Sequence, residues 1–299
     1  MASLDPFSLR LFVRVVEEGT IARAAEREHV VAGAISKRLS EMEAVLGTPL
    51  LVRSNRGVQP TAAGSALLTM ARKVLHELDQ LPFQMRGYAA GLSGLVRVAS
   101  SMSAILQFLP FEIQGFLAKH PNVQIQLEET RSAPIPKLIA DNATDIGIFT
   151  GPTQGQHIEV FDYHVDRLVI VVPQAHPLSL RKSVRFADAL DHVFIGLQSD
   201  SAIHLGMLSA ANQLERELSV RIQVSSLDAM CLMVSAGLGI GVMPEAVAGR
   251  AADAGSIRIV GLNEPWAERT FHLGVRSKQA LSAAGRMLLE HLRGSVQSG

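Results

Sequence analysis

Two sets of residues in this chain have the types and spacing to do chemistry. In the first, Gly33, Ser36, Lys37 and Ser40 share one face of a helical stretch, and Arg53 and Arg56 flank a turn shortly after it. Small residues at the head of that stretch, Ala32 and Gly33, let a backbone approach base edges. Ser36 can exchange hydrogen bonds with a base or a phosphate, and Lys37 can neutralise a phosphate. In the second set, hydroxyls stand at the ends of apolar runs: Ser100, Ser101 and Ser103 after one, Thr130 after another, and Gln198, Ser199 and Ser201 ahead of a helical pattern that starts at Ala202. Strand ends of this kind carry ligands in α/β sheets, and hydroxyls with backbone amides but no added lysine suit a small carboxylate. Arg131 adds a cation nearby, whereas Asp200 opposes an anion unless it points away or receives a hydroxyl or amine. Each of these serines also reads as an ordinary helix cap.

The first set needs a frame. Asp5-Pro6 is an acidic N-cap with proline at the first helical position, and Phe7, Leu11, Val15 with Phe12, Val16 repeat at helical spacing up to Gly19. Thr20 caps a second helix through Glu28, in which Ala22, Ala24 and Ala25 allow close helix packing, and His29-Val30-Val31 makes a tight turn. A third helix should bury Ile35, Leu39, Met42 and Leu46 and stop at Gly47. Residues 49–58 read as a strand, an Asn-Arg-Gly turn and a return strand that sets Arg53 and Arg56 beside a nucleic-acid backbone. The pattern alone leaves two readings open, a DNA reader or a three-helix unit whose polar face is merely solvated.

Thr61 can cap a long helix to about Ala90 with Leu67, Met70, Ala71, Val74, Leu78 and Leu81 in one stripe, which either pairs with another copy or packs on its own domain. Pro82 predicts a kink or stop near Leu81, and Gly87, Gly91 and Gly94 mark a hinge. Beyond Gly94, strand-like runs at 95–99, 123–128, 145–149, 167–172, 192–196, 221–224, 239–243, 257–260 and 271–275 alternate with helical patterns at 105–119, 134–141, 202–218, 227–236, 244–251 and 280–292. Such alternation predicts a parallel α/β sheet.

A length of 299 residues suits about two domains, and 28 basic against 28 acidic side chains exclude a global field for nucleic acid. The surplus is local: residues 29–64 hold Lys37, Arg38, Arg53 and Arg56 against Glu41 and Glu43. Neither a secretory signal nor an uninterrupted apolar span is evident, which predicts a cytoplasmic protein without membrane contact. The single Cys231, in an apolar run, reads as buried filler or a thiol sensor.

Leu9, Phe12, Val15, Gly19-Thr20, Ala24-Ala25, Ala34-Ile35-Ser36-Lys37, Glu43, Leu46-Gly47, Pro49-Leu50, Arg53 and Thr61-Ala62-Ala63-Gly64 stand at the spacing of a winged helix-turn-helix, and residues 4–64 resemble that of the LysR-type transcriptional regulators. Val31-Ala32 replaces the family's usual Ser-Gln, removing a cap and a base-reading amide; Leu51 replaces phenylalanine and Pro60 leucine. Leu95-Val96-Arg97-Val98, Leu109-Pro110, Phe116, Pro121, Asp145-Ile146-Gly147-Ile148, His176-Pro177-Leu178 and Gly237 to Pro244 resemble the family's effector domain, two Rossmann-like lobes of periplasmic-binding-protein type. The resemblance implies an α/β chain with a DNA-binding domain at 1–64, a linker (dimerisation) helix at 65–90 and an effector-binding domain at 91–299. Lobe I would span about 91–163 and 268–299, and lobe II about 164–267. It implies DNA contacts from Thr20, Ala32, Gly33, Ser36, Lys37, Ser40, Arg53 and Arg56, and an effector held between the lobes by Ser100, Ser101, Ser103, Thr130, Gln198, Ser199 and Ser201. The partners implied are promoter or operator DNA, a small-molecule effector, one or three further copies of the chain, and RNA polymerase. The alternative is a solute-binding module without gene control.

Other constellations are weaker. Gly237, Gly239 and Gly241 imitate a nucleotide loop but sit between a helix and a following strand, the reverse of a dinucleotide fingerprint, so tight-turn packing is the competing reading. His157, Asp162, His164 and Asp166 match no metal-ligand spacing and suit a surface crossover near a lobe hinge. Trp266 is expected to pack where the chain returns to the first lobe. No catalytic constellation stands out, so neither an enzyme nor a metal or other cofactor is expected.

Overall fold

The computed structural model describes residues 4–54, 57–90, 93–152, 157–253, 255 and 257–295, with backbone alone for 83–90. The chain divides into two compact units, Met1–Leu95 with Asp141–Thr144, and Val96–Ala140 with Asp145–Gly299.

The first unit opens with α1 (Pro6–Glu18), α2 (Ile21–Glu28) and α3 (Ala32–Leu46), followed by a hairpin of β1 (Leu51–Ser54) and β2 (Gly57–Pro60) and by α4 (Ala62–Ala90). Local chemistry sets these limits. Asp5 accepts from the Ser8 amide at 3.0 Å, Thr20 Oγ1 from the Arg23 amide at 3.3 Å and Thr61 Oγ1 from the Gly64 amide at 2.9 Å, each meeting an N–H that a helix start leaves unpaired. Gly19 and Gly47 close α1 and α3 in the left-handed conformation. Leu11, Phe12 and Val15 pack on Ala24 and Ala25, on Ile35, Leu39 and Met42, and on Leu50, Leu68 and Ala71.

Two expected core residues are outside it. Leu46, in the last turn of α3, is exposed, and Phe7 is exposed beneath the Arg38 guanidinium, 5.1 Å from the ring centre. Helix α4 buries Leu68 and Ala71 against its own unit and leaves Met70, Val74, Leu78 and Leu81 exposed, so the expected stripe is split between two faces. Nor does α4 stop at Leu81: it runs through Pro82, an exposed position where water can solvate the carbonyl that proline frees. Gly87 is helical and Gly94 opens a strand, while Gly91 lies outside the described residues.

The second unit is a mixed sheet, not the parallel one expected. Its strands are β3 (Gly94–Ser100), β4 (Val123–Glu129), β5 (Ile146–Thr150), β6 (Glu159–Pro173), β7 (Ser183–Val184), β8 (Phe194–Leu197), β9 (Val220–Val224), β10 (Gly241–Pro244), β11 (Ile257–Leu262) and β12 (Glu268–Val275). The helices are α5 (Met102–Gln107), α6 (Leu109–Lys119), α7 (Ile135–Ala140), α8 (Phe186–Ala189), α9 (Ala202–Gln213), α10 (Leu227–Ser235), α11 (Glu245–Asp253) and α12 (Ala283–Ser295). The order is β4-β3-β5-β12-β6-β11-β7, with β10 also on β6 and a separate β8-β9 pair.

Parallel pairing survives in β3 with β5, in β7 with β11 and in β8 with β9. Antiparallel pairing centres on β6, whose residues 159–167 pair with β12 and whose residues 168–173 pair with β10 and β11. One strand thus joins two halves of the sheet. Its first half is the segment that the sequence suggests as a crossover. Asp166 is met by Arg269 and His164 by Glu112 at 2.7 Å, while Asp162 is exposed with His272 Nδ1 3.2 Å away.

The expected single helix over 105–119 is two, broken at Phe108. Pro110 has no N–H to return to the Leu106 carbonyl, which accepts from Arg250 Nη2 at 2.8 Å instead. Trp266 packs edge-on against Phe186, 5.1 Å between centres, within the core that holds Phe194 and Met207 rather than on the half containing β3.

Candidate nucleic-acid face and ligand cavity

Helix α3 and the β1–β2 hairpin build one polar face. Val31, the N-cap of α3, is 76% exposed and makes no side-chain cap bond; its carbonyl accepts from the Ala34 and Ile35 amides. Ala32 and Gly33 are exposed at the helix head. One turn on, Ser36 Oγ accepts from Arg53 Nη1 at 3.0 Å, tying the hairpin to the helix. Lys37 is exposed with only a 4.0 Å approach to Glu41, and Ser40 is exposed on the next turn. Thr20 is half-buried as the cap of α2, and Arg56 lies outside the described residues.

The electrostatic count changes accordingly. Arg38 is withdrawn from the face by Asp5 at 3.3 Å, Ser8 at 3.0 Å and the Phe7 ring, while Asp5 is held below its ordinary pKa chiefly by the Ser8 hydroxyl and amide. Glu43 does not oppose the face either, because its Oε1 accepts from the Leu50 and Leu51 amides at 2.8 and 3.2 Å. Lys37 and Arg53 are therefore its described cations. The hairpin is fixed at its base as well: the Val58 amide donates to the Gly19 carbonyl at 2.8 Å and Thr61 Oγ1 to the Pro49 carbonyl at 2.8 Å.

The second unit encloses a cavity of about 340 Å³, within the range of small-molecule sites. Of the expected residues, Ser101, Ser103, Thr130, Gln198 and Ser201 line it. Ser100 and Ser199 do not. Ser100 is fully buried, donating from Oγ to the Ser101 carbonyl and accepting from the Thr130 amide at its own carbonyl; Ser199 is exposed in the turn before α9. Ser101 is 7% exposed and its Oγ has no partner. Ser201 Oγ accepts from the His204 amide at 3.1 Å, and the Ala202 and Ile203 amides have no acceptor among the described residues.

Sequence reasoning missed Glu129, Ser132, Thr150, Ser225 and Arg269 on the wall, beside apolar Met102, Leu197 and Leu227. Thr150 and Ser132 bond each other at 3.3 Å, Oγ to Oγ. Arg131, expected as a nearby cation, also lines the cavity; it pairs with Asp200 at 2.7 Å, so Asp200 is spent on an arginine. Arg269 forms a two-pronged pair with buried Asp166, which also accepts from Gln107 Nε2 at 3.0 Å.

The remaining constellations have structural partners. Glu112 accepts from Tyr163, His164 and Ser295; burial would raise its pKa, but these hydrogen bonds outweigh it and hold the carboxyl below its ordinary value. Burial pushes the Cys231 thiol up, and its Sγ lies 3.8 Å from Met243 Sδ, the setting of a packing residue. Among the described residues no cluster of three His, Cys, Asp or Glu could hold a metal. A Cβ on Gly239 or Gly241 would lie 2.6 Å from the Val193 carbonyl oxygen or 2.7 Å from Met230 Sδ, so those two glycines serve close packing, while Gly237 serves the turn with φ +77°. No helix among the described residues is long and apolar enough to cross a membrane.

Comparison with known proteins finds one family along nearly the whole chain. Residues 7–65 match the model of the bacterial regulatory helix-turn-helix protein, lysR family, and residues 89–297 that of the LysR substrate binding domain. The uncharacterized HTH-type transcriptional regulator YbhD of Escherichia coli (strain K12) is 27% identical over 277 residues, 93% of this chain and 87% of that protein. Full-length CbnR in complex with its target DNA superposes with a TM-score of 0.57 at 23% identity over 98% of this chain and 100% of that one. The effector binding domain of QuiR in complex with shikimate gives 0.60 at 19% identity over 69% of this chain and 99% of that one. The chain belongs to the LysR family of DNA-binding transcriptional regulators.

Proposed function

We propose that this regulator reads its operator through Thr20, Ala32, Gly33, Ser36, Lys37, Ser40, Arg53 and Arg56, and that a small carboxylate in the 340 Å³ cavity controls it. The observation that carries the DNA reading is the Arg53–Ser36 bond, which sets a hairpin cation and the exposed Lys37 on one surface. The carboxylate reading is supported by the unpartnered Ser101 hydroxyl, the free Ala202 and Ile203 amides and the neutralisation of Asp200 by Arg131. CbnR with its target DNA and QuiR with shikimate are relatives in which each kind of partner is bound.

The exposed row Met70, Val74, Leu78 and Leu81 on α4 suits antiparallel pairing with a second copy, giving dimers and, from two dimers, tetramers. We take 1–64 as the DNA-binding domain, 65–90 as the linker helix and 91–299 as the effector domain, acting in the cytoplasm beside RNA polymerase. Fluorescence anisotropy on operator DNA tests the reading: Ser36→Ala with Lys37→Ala should lose at least about tenfold in affinity while keeping the parent's melting temperature. Unchanged affinity would refute it.

A further inference from the structure

We propose that Arg269 is the anchor for the acid group of the effector, that Asp166 with Gln107 holds it in position, and that Glu129 receives a hydroxyl or amino donor from the ligand's other end. The inference rests on reading the cavity as the effector site. Arg269 stands on β12 directly opposite Asp166 on β6, and its Nε and Nη2 are both bound to the Asp166 carboxylate. That carboxylate is 3% exposed, so losing the arginine would leave its charge buried and unpaired, at a large cost. Gln107 at the end of α5 donates to the same carboxylate, and the Phe271 ring lies 5.5 Å from the guanidinium carbon.

A guanidinium carries five N–H donors, and this arrangement commits one edge of the fork and leaves Nη1 without a partner among the described residues. Arg269 lines the cavity, so the free donors form a preset anion site on a rigid strand. Arg131, the other wall arginine, is half exposed and answered by Asp200. Glu129 is the lining residue whose charge has no ion-pair partner among the described residues. A second carboxylate on the ligand would meet it unfavourably, whereas a hydroxyl or ammonium would not. The ligand class is a small hydroxy acid or amino acid rather than a dicarboxylate.

The test is thermal shift and calorimetry on the full chain with shikimate, benzoate, lactate, propionate and succinate, and with the primary amides of the first four. The proposal expects the hydroxy acids to stabilise the protein more than their plain counterparts or succinate, and every acid more than its amide. Arg269→Met should weaken the acids by about tenfold or more and bring them level with their amides. Arg269→Lys, which keeps the charge, should restore part of the difference, and near-UV circular dichroism shows whether each variant retains its fold. Acids and amides binding alike, unaffected by Arg269→Met, would leave the cavity as a ligand site and remove Arg269 as its anchor. Preference for succinate would overturn the role of Glu129, and no stabilisation of the parent by any probe would overturn the cavity reading itself.

Discussion

Single side chains in this regulator do structural work that their charge does not advertise. Glu43 looks like an anion near a DNA face, yet it is the acceptor for two strand amides. Glu43→Ala should cost about 1–3 kcal/mol in urea denaturation, because Leu50 and Leu51 are buried and their amides have no water to turn to, whereas Glu41→Ala, at a half-buried position with only a 4.0 Å approach to Lys37, should stay within about 0.5 kcal/mol. Val31 is the opposite case, a cap position without a cap. Val31→Ser should raise stability by about 0.5–1 kcal/mol, read in the same assay. Helix starts were legible, since Asp5, Thr20 and Thr61 lie within three residues of the amides they meet. Arg38 was not, because its partners Asp5 and Phe7 lie some thirty residues away.

Among elements, each strand-like run of the second unit coincides with an observed strand, whereas the short β7 and the first half of β6 escaped because tertiary pairing makes them strands. The β6 segment over 159–166, with Asp162, His164 and Asp166, suits a crossover on sequence alone; it is a strand paired with β12, and Arg269 and Glu112 meet Asp166 and His164 from elsewhere. The same distance dependence hid Thr150, Ser225 and Arg269, which reach the cavity from strands and turns far apart in sequence, while Ser101 and Ser201 were visible as hydroxyls at strand-to-helix turns. Gly64 shows how tightly the hairpin meets α4. A Cβ there would stand 2.0 Å from the Leu50 carbonyl oxygen, a backbone atom that cannot swing aside. Gly64→Ala should therefore destabilise the first unit by about 1–3 kcal/mol, visible as a lower melting temperature. On α4, Leu78→Asp should leave the fold intact and shift the protein toward monomer in analytical ultracentrifugation, since Leu78 is exposed and its row has no partner within the unit; an unchanged oligomer would place the interface elsewhere.

For the whole molecule, net charge is zero, so DNA affinity rests on a local face and should fall with salt in proportion to few phosphate contacts. The acid response has an identified source in Glu112. Its carboxyl pKa is lowered on folding, so its contribution is fully present above the unfolded value and is lost as pH falls through the folded one. Urea midpoints measured from neutral pH down to pH about 3 should converge between the parent and Glu112→Gln, with the parent more stable at the upper end; a constant gap would assign the acid response to other groups. The central claim is sequence-selective DNA binding by this chain. A gel shift on the DNA immediately upstream of its own gene, against unrelated DNA at matched, near-physiological salt, tests it most directly. Selective retardation by a dimer or larger species is the expected result, and equal, weak retardation of both DNAs would contradict it.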